Sequence, residues 1–91
     1  MNTSSRREYI ISALNPIGFG NYTVDYACSI KYSTHRTNDI ANMYSDALRW
    51  SAKHRVRYIV ILRVTPRGTY NPCYAMDLRT TRHIKLNNIE V

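Results

Sequence analysis

The chain has 91 residues and no internal repeat, a length that holds one hydrophobic core and therefore one domain. Thirteen Lys and Arg against six Asp and Glu give a net charge of +7 and a pI near 9.8, a bias toward anionic partners that leaves the fold open. Apolar runs such as Tyr58 to Leu62 fall far short of the roughly 18 residues a membrane-spanning helix needs, and a hydrophobic fraction of 44% with three Gly and three Pro excludes a low-complexity chain.

Met1 to Arg7 carries positive charge, but it leads into Glu8, Ser12 and Asn15-Pro16 without a small-residue cleavage pattern, so it does not read as a secretory leader. Cys28 and Cys73 are the two cysteines, which allow one bridge but not a framework of two or more pairs, and buried reduced thiols are the expectation. Both features point to reduced thiols in a cytoplasmic protein. Ser5-Arg6-Arg7-Glu8 has the form of a capping box, and Tyr9, Ala13 and Ile10, Leu14 recur four apart. This predicts a short helix that stops before Pro16, with a strand as the alternative because Tyr9-Ile10-Ile11 is rich in strand formers. Ile17 to Asn21 follows as a loop whose glycines permit positive φ.

Tyr22, Val24, Tyr26, Cys28, Ile30 and Tyr32 then alternate with smaller or polar residues, which predicts one amphipathic strand with a single buried face. After a polar turn over 33–38, Ile40, Met43, Tyr44, Ala47, Leu48 and Ser51 form the apolar stripe of a helix over 39–53. Val56, Tyr58, Val60, Leu62 and Val64 form one face of a second strand, and Arg57, Ile59, Ile61 and Arg63 the other. Apolar centres on both faces mark a central strand. Thr65 to Pro72 is dense in turn formers. Cys73 to Arg79 continues as a third strand antiparallel to the second, and Ile84 with Leu86 offers a short fourth. The order α-β-α-β-β(-β) gives an α+β two-layer sandwich, a three- to four-stranded sheet with one main helix packed on it. It forms a single domain over 1–91 with loose ends at 1–8 and 87–91.

The charge is unevenly placed. From Arg49 to Lys85 there are nine basic residues against Asp77 alone, and no carboxylate lies between Leu48 and Met76. Such a one-signed stretch repels itself without an anionic ligand. Ten of the thirteen basic residues are Arg, whose planar guanidinium pairs with phosphate and stacks on bases. Tyrosines lie among them as stacking platforms or interface anchors. The candidate binding residues are Arg49, Lys53, Arg55, Arg57, Arg63, Arg67, Tyr70, Arg79, Arg82 and Lys85. Arg55, Arg57, Arg63 and Arg67 lead, because Arg63 and Arg67 flank the Pro66-Gly68 turn.

The expected function is a non-enzymatic basic binding module that engages nucleic acid or a nucleic-acid-handling complex. The alternative is an inhibitor or adaptor of the kind mobile elements encode, docked on an acidic protein surface. A homodimer is a further arrangement to test. A small toxin-like ribonuclease is a third reading, in which His35 with Arg36, or His83 with Arg82 and Lys85, supplies acid, base and phosphate clamp. No catalytic residue is assigned. No zinc spacing, P-loop, dinucleotide fingerprint or nucleophile elbow is present, so no metal or cofactor is expected.

Overall fold

A computed structural model describes residues 7–34 and 40–91. The elements are β1 (Arg7–Gly18), β2 (Asn21–Thr34), α1 (Ile40–Lys53), β3 (Tyr58–Val64), β4 (Tyr70–Asp77), β5 (Arg82–His83), a 3-10 turn (Leu86–Asn88) and β6 (Ile89–Glu90). They build one sheet in the order β5-β4-β3-β1-β2-β6, antiparallel except where β6 joins β2. The expected three- to four-stranded two-layer sandwich is thereby corrected: the protein is mostly sheet, six strands curled into a half-barrel, with one helix.

The first element accounts for most of the difference. The short helix expected before Pro16 is instead a 12-residue strand, and the Ser5 half of the supposed capping box lies outside the described residues. Tyr9 to Leu14 are all buried. Tyr9 and Ile11 pack with Met43, Ala47, Ile59, Ile61 and Met76 under α1, while Ile10 and Leu14 pack with Val24, Val60, Leu62, Ala75 and Ile89 inside the curl. A strand buried on both faces loses its alternation and reads as a plain apolar run, within which four-residue spacings arise by chance. Because β1 lies between β2 and β3, those two strands run in the same direction without pairing. The helix and the strand expected over Val56 to Val64 appear, with Asp39 outside the described residues, but the strand expected over Cys73 to Arg79 runs instead from Tyr70 to Asp77 and Ile84 with Leu86 forms no strand. Met43, Ala47 and Ser51 are the buried stripe of α1. The Ser51 hydroxyl is satisfied by the Ala47 carbonyl at 2.7 Å.

Two bulges bend the body of the sheet, and a third register shift leaves Ile17 unpaired beside the β1–β2 turn. In β2 the register jumps from Ser12↔Ser29 to Ala13↔Asp25, so Tyr26, Ala27 and Cys28 have no partner on β1. The Asp25 carboxylate accepts the Ala27 N–H at 3.2 Å, and the Ser29 hydroxyl donates to the Tyr26 carbonyl at 2.8 Å. An odd number of extra residues reverses the side chains, which corrects the single buried face expected for β2. Val24 sides with Leu14 inside the curl, whereas Tyr32 sides with Tyr9 toward α1. A second shift leaves Cys73 unpaired in β4. Bulges sharpen local twist, and the resulting curl brings non-neighbouring strands together: Tyr22 of β2 meets Tyr58 of β3 at 5.1 Å between ring centroids, and Tyr26 meets Tyr70 of β4 at 5.4 Å. The segment from Ile84 to Ile89 then crosses between the two sheet edges. The Ile84 N–H donates to the Ala75 carbonyl, and Ile89 pairs beside Tyr22. Ile89, in the stretch expected to be loose, is 8% exposed.

Candidate functional site

Topology decides which basic residues meet. Lys53 closes α1, and the chain turns through Arg55 into β3. Val56 donates to the Ser51 carbonyl and Arg55 to that of Ala52, the paired bonds of a Schellman ending. Arg57 then reaches across to β4. Its guanidinium donates twice to the Asp77 carboxylate, both bonds at 3.1 Å, and lies 4.8 Å from the centre of the Tyr58 ring. Among the described residues this is the one ion pair. Hydrogen bonding from Arg57 holds the Asp77 carboxyl below its ordinary range, and the same contact raises Arg57. Asp77 also accepts the Arg79 N–H at 3.0 Å and pairs in register with Arg82.

Lys53, Arg55, Arg57, Arg79 and Arg82 therefore gather at one end of the half-barrel, all exposed, around a carboxylate already engaged by Arg57. Arg49, one helical turn before Lys53, shares its exposed face. Tyr22, Asp77, Thr80, Arg82, His83 and Ile84 line a cleft of about 480 Å³ there. Burial raises the Tyr22 phenol above its ordinary value.

The other candidates lie elsewhere. Arg63 follows Arg57 by six strand positions, about 20 Å at 3.3 Å per residue, and Arg67 lies in the turn beyond it. Tyr70, half-buried against Tyr26, belongs to that far end as well. Lys85 sits on the crossing segment. The four leading arginines are thus two pairs at opposite ends of β3. Of the histidines, His35 lies outside the described residues, as does Arg36. His54 packs beside Trp50, and His83 sits edge-on to Tyr74 at 4.9 Å. Tyr74 is itself pushed up to about 12 by burial and by Tyr44. Among the described residues no group of three or more His, Cys, Asp or Glu side chains could hold a metal ion.

Two features of this end escaped the sequence reading. The β1–β2 hairpin runs past the last β1–β3 pair, Ala13↔Ile59, so that residues 15–21 form an exposed two-stranded arm beside the arginines. Its tip is Phe19, fully exposed at φ 54° between Gly18 and Gly20. The second feature is strain. Among the described residues three non-glycines hold positive φ: Phe19, Arg55 and Thr81. All three lie at this end, on the arm, the helix ending and the β4–β5 turn. Left-handed backbone is unfavourable for such residues and gathers at functional sites. An aromatic flanked by two glycines was the readable sign of the first; nothing in the sequence marks the second.

Comparison with protein-family models, with curated proteins and with solved structures finds no match for this chain.

Proposed function

We propose that the protein is a binding module for nucleic acid, with the Lys53, Arg55, Arg57, Arg79 and Arg82 end as its contact surface. The observation that carries this reading is the convergence of these five exposed cations from two separate stretches of chain, 53–57 and 79–82, around Tyr22 and Tyr58, with Asp77 already engaged by Arg57. Closely spaced like charges cost stability unless a polyanion occupies them. Arginine outnumbers lysine four to one in the group, which suits bidentate phosphate contact.

Fluorescence anisotropy against short single- and double-stranded DNA and RNA, over a range of salt, tests the reading. The wild type is expected to bind with an affinity that falls steeply with salt, the slope counting its phosphate contacts. Reversing Arg55, Arg79 and Arg82 to Glu abolishes binding, while reversing Arg63 and Arg67 leaves most of it. The reverse order of effects moves the surface to the far end. Absence of binding at low salt overturns the reading and leaves an acidic protein surface as the partner to test. Oligonucleotide cleavage, run on the same samples, would bring back the ribonuclease reading.

A further inference from the structure

Resting on that reading, we infer that the β1–β2 arm is a wedge for duplex DNA: Phe19 enters a groove and unstacks a base step while the arginine end holds the flanking phosphates. Four observations support it. Phe19 is at 105% relative exposure and Ile17 at 50%, so the arm presents apolar side chains at its tip and buries neither of them. From Asn15, level with the start of β3, to Phe19 are four residues, about 13 Å of extended chain. The grooves of B-DNA are about 7.5 to 8.5 Å deep, and the major groove admits a two-stranded ribbon. Cations standing at the base of the arm can therefore meet phosphates while the tip reaches bases.

The arm is also uncharged from Asn15 to Val24, so nothing on it repels or over-binds the backbone it passes. The exposed amides of Asn15 and Asn21 are the groups that read base edges. Finally, the turn holds an aromatic where the backbone asks for glycine or asparagine: φ is 105° at Gly18, 54° at Phe19 and 77° at Gly20. Two-residue hairpin turns with both angles positive favour Asn-Gly or Gly-Gly. Architectural proteins insert apolar wedges between base steps from the minor groove and kink the duplex toward the major groove. The narrow tip formed by Phe19 between two glycines suits that entry, since only the side chain has to pass between the bases. A lipid surface fits less well, because only Ile17 and Phe19 could insert and the arm's exposed amides would lose their water.

The test uses a DNA duplex with a central TA step, the kind most easily unstacked, carrying 2-aminopurine at that step and a donor–acceptor pair at its ends. Wild type is expected to raise the aminopurine emission and shorten the end-to-end distance. Phe19→Ala and Phe19→Asn abolish both signals and weaken binding about 5- to 10-fold, in line with loss of one aromatic–base contact, while the salt slope stays unchanged. Since Phe19 is fully exposed, both variants fold; Asn is also at home in left-handed backbone. Salt-dependent duplex binding without aminopurine or distance changes, or Phe19 variants that retain both, overturns the wedge and leaves the binding reading standing. Binding to single strands alone does the same. Failure to bind any nucleic acid overturns both readings. Phe19-dependent binding to phosphatidylserine vesicles without a duplex signal assigns the arm to lipid and overturns the wedge.

Discussion

Arg55 sits where a helix ends most easily on glycine. Its φ of 57° is that of the left-handed residue in a Schellman ending, and an L side chain there costs roughly 1–2 kcal/mol relative to a relaxed backbone. Glycine removes that cost but gives back about 0.4–1 kcal/mol through its freer unfolded chain. Arg55→Gly is therefore expected to raise stability by about 0.5–1 kcal/mol in urea denaturation. The same variant is expected to bind nucleic acid more weakly, since it removes one exposed cation from the site. Gain of stability with loss of binding is the signature of a residue kept for contact rather than for folding. If Arg55→Gly gains nothing, local contacts already offset the strain, and the position says nothing about function.

Among the elements, β3 and α1 were legible because each shows a clean period, two faces on β3 and a 3.6-residue stripe on α1. β4 was legible only from Cys73 onward: Tyr74 and Met76 alternate toward α1, but Asn71-Pro72 reads as turn although the strand begins at Tyr70. β1 was not legible, since burial on both sides erases the alternation that distinguishes strand from helix. The extent of β2 was legible but its facing was not, because a three-residue bulge adds no compositional mark of its own; Asp25 and Ser29 act through hydrogen bonds visible only after folding. β5 and β6 are two residues each and owe their existence to the edges they meet. The same limit split the candidate site: arginine content is a sequence property, whereas the end of β3 to which each arginine goes is set by topology.

The bond that fixes β3 to β4 at this end, Arg57 with Asp77, carries a pH signature. The Asp77 carboxyl is held below its ordinary value chiefly by that hydrogen bond. Its contribution is thus complete above the unfolded carboxylate range, near pH 4, and is lost as pH falls through the lower folded value. Between pH 5 and pH 3 the wild type is expected to lose more stability in urea than Asp77→Asn. Asp77→Asn also releases Arg57, so its salt slope in the anisotropy titration rises toward one additional phosphate contact. Equal pH dependence in the two proteins would show that the pair contributes nothing in solution, as exposed pairs often do.

At the scale of the whole molecule, the sheet separates two cores, one under α1 and one inside the curl, and only the second is coupled to the arm. Ile89 packs in that inner core and pairs in register with Tyr22, which stands where the arm leaves the sheet and packs at a tilt against Tyr58. The crossing segment therefore does two things: it covers apolar surface that an open half-barrel would leave wet, and it holds the base of the arm against the arginine end. Met43, 1% exposed in the other core, has no such link. Ile89→Ala and Met43→Ala are each expected to cost about 2–5 kcal/mol of stability. Their effects on binding should diverge: measured where circular dichroism shows both variants folded, Ile89→Ala weakens duplex binding and blunts the aminopurine signal, because Tyr22 and the arm lose their support, whereas Met43→Ala binds as wild type. Equal loss in both variants would mean that binding follows global stability alone and that the crossing segment is only a cover for the inner core.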